Sequence, residues 1–351
     1  MSLGQGYAAR MAIANESSWG TGVAGEAIVP FSSEDLNRTI EMIESNFLDG
    51  HAARRALYAS VIKALGNLSG ELDGYYGYAG GFEYLLWAFA GGAGSRDTTN
   101  GLNQYKVADQ VVNSLTLAVL KDVSVWELPG VKVNTLNIKG SAGGAIEFSA
   151  DIIAKTLLRT GDSGIVNTSG GINGISQTGV PITFLFDDLI FRIGDQSDAL
   201  ASGDQLKIDD FSFDGNNNLS EPQFSTEDSS HTDSRLTLEP KRNGFRDVKL
   251  TFKLPRYESD QIFTWLNNDT ALQADLKFSR SGYEFNILLP NIKLVDPKAP
   301  ISGAELVAPT FEIIALRNNG QNTYMTYQDS DAITDEVGFE IKSGRPNPVD
   351  V

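Results

Sequence analysis

Two stretches half a chain apart read almost alike: EFSADIIAKTLLR (Glu147–Arg159) and ELVAPTFEIIALR (Glu305–Arg317). Both begin with Glu, carry Ala three positions on (Ala150, Ala308) and end in Leu-Arg. Ahead of each runs the same order of segments: β-type apolar runs, a short helical stretch holding a tryptophan (Trp87, Trp265), then two more β-type runs. Such self-similarity points to a module present twice. The spacing from Trp87 to Leu158 is 71 residues and from Trp265 to Leu316 it is 51, a surplus that matches an insertion at 91–110 in the first copy. Unrelated modules of one β class would also share strand order. A chain of 351 residues is two to three domains long by the usual ~100–150 residues per domain.

The predicted organisation follows. Residues 1–25 are rich in Gly and Ser and read as an N-terminal arm with one short strand near Ala8–Ala14. Residues 26–160 form module 1. Its clearest helix has Phe82, Leu85, Leu86 and Phe89 at i, i+3, i+4, i+7, between Gly80–Gly81 and Gly91–Gly92. Residues 161–180 have the composition of a Gly/Ser linker, with no charge after Asp162. Residues 181–320 form module 2, where Val248, Leu250, Phe252 and Leu254 alternate as in a half-buried strand. A short helix is expected from Ser259, as its cap, to Asn268, with Ile262, Trp265 and Leu266 inward. Residues 321–351 are polar and acidic and read as a C-terminal arm. The expected fold class is mainly β with short helices, in two tandem β-sandwich or barrel modules, each with one flanking helix.

Composition excludes several kinds of chemistry. With no cysteine and two histidines, His51 and His231, disulfide scaffolds, cysteine nucleophiles and the usual Cys/His zinc sites are out. A net charge of −17 argues against wrapping nucleic acid, whose phosphates need Lys and Arg. It does not argue against nucleic acid sliding past. Met1–Asn15 lacks a basic start followed by an apolar stretch, so no signal peptide is expected. The longest apolar run, Phe82–Ala90, is half the ~20 residues of a spanning helix, so no membrane segment is expected.

Gly140, Gly143 and Gly144 follow a strand but precede another strand, so they read as a hairpin turn rather than a phosphate loop. Asp214, Asn216, Asn218 and Glu221 lack the glycine and distal Glu of a calcium loop and read as a solvated turn. The pairs Glu34–Asp35, Asp187–Asp188 and Asp209–Asp210 carry no sign of the facing placement that glycosidase carboxylates need. His231 sits among Asp228, Ser229, Ser230, Asp233 and Ser234, but a triad is assembled across a fold, not along one loop. The aromatics Tyr75, Tyr76, Tyr78, Phe82 and Tyr84 fit a core or subunit interface, with a carbohydrate platform as the alternative. No catalytic, cofactor-binding or metal-ligating residue is singled out, and no cofactor is implied.

The opening ESSWGTGVAGEAIVPFSSEDLNRTIEMIESNFLDG (Glu16–Gly50) and GNLSGELDGYYGYAGGFEYLLWAFAG (Gly66–Gly91) resemble the major tail tube proteins of long-tailed bacteriophages. The likeness rests on Glu16–Thr21, Phe31–Leu36, Ile43–Leu48 and Gly66–Leu72, and on KIDDFSFDGNNNLSEPQF (Lys207–Phe224), similar to the start of a repeated copy. The 91–110 insert and the acidic tail depart from the pattern. The resemblance implies a non-enzymatic structural virion protein, made in the host cytoplasm and built into the phage tail. It implies homotrimeric, pseudo-hexameric rings stacked into a hollow tube, through which DNA passes without sequence-specific binding. Tape measure, tail terminator and distal tail proteins are the partners it implies. The alternatives are a two-module adhesin or carbohydrate-binding protein, an acidic-pocket hydrolase, or another tail component such as a baseplate hub or distal tail protein with the same module.

Overall fold

The computed structural model describes residues 6–44, 57–75, 80–224, 236–257, 259–298, 307–318 and 320–345. His51, His231, Tyr76 and Tyr78 lie outside the described residues. The first half runs through β1 (Arg10–Asn15), β2 (Ala27–Val29), β3 (Ser33–Glu34), β4 (Asn37–Glu44) and β5 (Leu57–Glu71) to helix α1 (Gly81–Ala90). It continues with β6 (Gly91–Asp97), β7 (Leu102–Val107), β8 (Leu115–Leu120), β9 (Val125–Ser141), β10 (Glu147–Ala154) and β11 (Leu158–Arg159). After α2 (Ser169–Gly174), the second half has β12 (Leu189–Asp195), β13 (Gln205–Leu206), β14 (Asp210–Asn216), β15 (Asp247–Lys253) and α3 (Gln261–Asn267). It closes with β16 (Leu272–Arg280), β17 (Tyr283–Lys298), β18 (Thr310–Ala315) and β19 (Gly338–Lys342). The fold is mainly β, and every pairing between these strands is antiparallel.

The same pairing order occurs in each half. One series is β1-β8-β9-β10-β5-β4, the other β12-β16-β17-β18-β15-β14. In each, one strand is long enough to serve two sets of partners. The first part of β9 pairs with β8 and its later part with β10. Likewise β17 pairs with β16 up to Ile292, and from Ile292 onward with β18. A bulge interrupts each long strand within its pairing with the second partner, and an extra residue there bends the strand.

Helix α1 is buried on every side, which its stripe of Phe82, Leu85, Leu86 and Phe89 alone did not predict. The glycines at both its ends adopt left-handed backbone, Gly80 at φ 73° and Gly91 at φ 77°, so the chain enters and leaves the helix sharply. Both halves of the chain cover it. Phe82 packs on Phe148 of β10 (5.2 Å between ring centroids) and on Phe285 of β17 (5.7 Å), while Phe89 meets Phe339 of β19 (6.2 Å). By contrast α3 buries only Ile262 fully, and Asp260, not Ser259, is its cap position; Ser259 Oγ accepts from Gln261 N at 3.2 Å.

Three segments that read as arms or linker are packed. Met11–Ala14 are fully buried as β1, because the glycine-rich flanks hide an apolar strand. In 161–180, Ile172 of α2 is buried, and Glu127 accepts from the amides of Val166 (3.1 Å) and Asn167 (2.6 Å). In the C-terminal stretch, β19 inserts between β17 and β7, and Phe339 and Ile341 are buried. The insert at 91–110 supplies β6 and β7, so it is the surface on which the C-terminal strand closes.

Glu83 fastens this closure. Its carboxylate accepts from Asn103 Nδ2 (2.6 Å) and Tyr105 OH (2.6 Å) of β7, and from Ser343 Oγ (2.7 Å) past β19. Burial pushes the Glu83 carboxyl up from its ordinary value of 4.5, against the pull of those three donors and of the Arg345 charge. A carboxyl raised in the folded state contributes its full stability below the unfolded value and loses it as pH rises through the folded value. The stability of the wild type relative to Glu83→Gln is therefore expected to fall as pH rises above 4.5. Urea unfolding of both proteins across a pH series checks this, and a difference that grows with pH contradicts it.

Candidate functional site

The most extensive feature of the molecule is one uncovered sheet face. Strands β4-β5-β10-β9-β14-β15-β18 lie side by side, and cross-strand partners share a face. One face is the core, with Leu68, Phe148, Ala150, Leu136, Ile138, Phe211, Phe213, Leu250, Phe252 and Ile313 buried. The alternating residues form the other face. On β5 to β18 it carries the carboxylates Glu71, Glu147, Asp151, Asp210, Asp214, Asp247 and Glu312 and the lysines Lys63, Lys139, Lys249 and Lys253. Serine, threonine and asparagine fill most of the remainder, with Leu65, Ile153 and Ile314 as apolar members; at one end Ile153 packs with Val111 and Leu219, and Lys132 beside it is buried and pairs with Glu239 at 2.6 Å. Among the described residues, no arginine and no aromatic residue stands on the outer positions where these strands pair with one another.

The charges on this face are engaged by neighbouring polar and charged side chains. Asp151 accepts from Asn67 Nδ2 at 2.8 Å and from Thr135 Oγ1 at 2.6 Å. Asp214 accepts from Ser212 Oγ at 3.0 Å and from Asn137. Lys139 pairs with Glu147 at 3.3 Å, and Lys249 with Glu312 at 3.2 Å. Each such exposed pair is worth ~0–1 kcal/mol to stability.

At the centre of this sheet the two halves are joined by backbone pairing. Thr135–Ser141 of β9 runs against Asp210–Asn216 of β14 over seven residue pairs. Asn217, fully buried, secures the end of the joint: its Nδ2 donates to the carbonyls of Phe89 (2.9 Å) and Val133 (3.1 Å). Its Oδ1 accepts from Arg242 Nη2 and Arg246 Nε, both at 3.0 Å. Gly215 of β14 lies against the Phe89 ring, where a Cβ would overlap it.

The sheet's ends differ from its middle. β14 is paired on both edges, by β15 and by β9. β4, which holds the same place in the first series, pairs with β5 and, among the described residues, has no strand on its other edge. Ile40, Met42 and Ile43 of β4 are 36%, 55% and 58% exposed. The edge of β17 opposite β18 is likewise unpaired past Ile292 among the described residues, whereas the matching part of β9 is paired by β14.

The residues singled out in the sequence do not converge. Gly143 and Gly144 form the turn between β9 and β10, with Gly143 at φ 80°. Asp214 and Asn216 are on β14, Asn218 is in the following turn at φ 50°, and Glu221 is exposed beyond it. Asp188 ends a short 3-10 turn and pairs with Arg280 at 3.2 Å. Phe82 and Tyr84 are buried, which removes them from any exposed platform, and Tyr75 packs on Tyr283 at 5.1 Å. A cavity of about 590 Å³ is lined by Arg242, Arg246, Asp335 and Glu336 among others; Arg246 pairs with Glu336 at 2.7 Å, and Arg242 donates to the Asp109 carbonyl at 2.7 Å.

The sequence matches the phage tail tube protein family over residues 6–315. The chain belongs to that family. It is accordingly a structural protein of the phage tail, and membership implies self-assembly into a tube. No curated protein matches the chain. No helix among the described residues is long and apolar enough to cross a membrane.

Gly215→Ala is expected to lower stability by about 1–3 kcal/mol, because the added methyl has to displace Phe89 or spread the joint. Urea unfolding measures it, and a change below about 0.5 kcal/mol would show that the joint is looser than its geometry.

Proposed function

We propose that this chain is the ring-forming subunit of the tail tube. Two tandem modules, 26–160 and 181–320, supply two of the six positions of a ring, with the 161–180 segment between them. Three chains then close a pseudo-hexameric ring, and stacked rings enclose a conduit for DNA during ejection. The observation that carries this reading is the β9–β14 pairing: one module's sheet continues into the next within a single chain. A sheet repeated around a ring leaves no strand edge unpaired, which disposes of the aggregation hazard of open edges.

In this reading the uncovered face of β5 to β18 lines the lumen. DNA binds through lysine and arginine that displace its counterions, and stacks on aromatic side chains. The face offers no arginine and no aromatic, and its lysines Lys139 and Lys249 are held by carboxylates. Excess carboxylate repels phosphate only within a Debye length, ~8–10 Å at physiological salt. That range discourages adhesion to the wall without impeding flow. The chain has no enzymatic role in this account. Its partners are further copies of itself along the tube, with tape measure, tail terminator and distal tail proteins at the tube's core and ends, and it is made in the host cytoplasm.

Two measurements test it. Negative-stain microscopy of the purified chain is expected to show six-lobed rings or hollow tubes, and compact spheres in their place would count against the tube. Tubes carrying Asp151→Lys with Asp214→Lys are expected to retain a short DNA duplex on sedimentation at low salt and release it at high salt. Wild-type tubes leave it in the supernatant. Equal behaviour of the two would remove this face from the lumen.

A further inference from the structure

We propose that the ribbon between β14 and β15 is a clasp that seats the second half of the chain on the first, with the Lys132–Glu239 ion pair as its lock. The clasp belongs to the single chain and does not depend on how copies assemble.

Beyond the β14–β15 ladder the chain continues as two stretches, 217–224 and 236–243. They run antiparallel: Asn243 N donates to the Asn218 carbonyl (2.8 Å), Ser220 N to that of Lys241 (2.7 Å) and Leu238 N to that of Gln223 (2.7 Å). A two-stranded ribbon alone is marginally stable in water, so its seat decides where it lies. The seat is the first half of the chain. Asn134 of β9 accepts from Asn217 N on its carbonyl (2.8 Å) and from Leu219 N on its Oδ1 (2.9 Å). Leu219 packs with Val111 and with Ile153 of β10, and Leu236 bridges to Ile62 of β5. Arg242 donates to the carbonyls of Ala108 (3.3 Å) and Asp109 (2.7 Å).

Lys132 stands on β9 opposite Ile153 and is fully buried. Its Nζ donates to the Val111 carbonyl at 2.6 Å and pairs with Glu239 of the ribbon at 2.6 Å. Glu239 also pairs with Lys241, which is exposed. The apolar contact at Leu219 has no direction of its own. A buried ammonium does, because it needs a carboxylate at contact distance. Removing one partner of such a pair leaves an uncompensated charge, whereas replacing both with uncharged groups often costs little. Here the orphaned ammonium regains water only if the ribbon lifts. The two partners are therefore unequal: losing Glu239 opens the clasp, and losing Lys132 as well lets it close over Val111, Ile153 and Leu219.

The test follows backbone amide exchange in the full chain, comparing 217–224 and 236–243 with 135–141 of β9. In Glu239→Gln the ribbon is expected to exchange at least about tenfold faster than in the wild type, with 135–141 changed by less than about twofold. Adding Lys132→Met is expected to return the ribbon to within about threefold of the wild-type rate. Lys241→Ala, which removes only the exposed partner, is expected to leave it unchanged. Unchanged ribbon exchange in Glu239→Gln overturns the lock. Equal acceleration of the ribbon and of 135–141 overturns the clasp, because the ribbon then opens only with the β9–β14 joint. Failure of Lys132→Met to rescue, or an equal effect of Lys241→Ala, removes Lys132 from the role. Should Glu239→Gln lose its near-UV spectrum, the double variant is still expected to fold, and its failure also overturns the proposal.

Discussion

Everything in this molecule turns on seven backbone pairs between β9 and β14. They connect two halves of the chain that repeat one pairing order, and they make a single sheet out of what would be two. Hydrogen bonding along a strand edge is indifferent to side-chain identity, so the joint constrains shape more than sequence. The side chains around it then adapt. Gly215 gives way to Phe89, and Asn217 satisfies two carbonyls while accepting from two arginines. The polar outer face follows from the same pairing, because strands in register present one set of alternating residues to the core and the other to solvent.

Helix α1 shows how closely the halves depend on each other. A helix apolar all round is stable only when enclosed, and α1 is enclosed by β10 from its own half and by β17 and β19 from the other. The C-terminal strand completes the enclosure, held by Ser343 on the buried Glu83. This chain thus uses its C-terminal stretch, through Ser343, to finish its own core, and the insert between α1 and β8 provides the strand to which it adds.

Much of this was legible in the sequence. The period of Phe82–Phe89 located α1, and the alternation of Val248–Leu254 located β15. What escaped notice had weak local signals. β6 is largely glycine, and β19 lies in an acidic stretch whose mean composition masks Phe339 and Ile341. The uncovered face escaped for a different reason. Each strand shows its own alternation, but which polar side chains become neighbours, as Asp151 does with Asn67 and Thr135, is settled by register between strands apart in the chain.

The central claim is that one chain carries two ring positions. Native mass spectrometry of isolated rings measures this directly. Three chains of 37.9 kDa give a ring of roughly 114 kDa, and the account predicts that mass for a six-lobed particle. A six-lobed ring of twice that mass would mean one position per chain, and would reduce the β9–β14 joint to an internal feature of a single subunit.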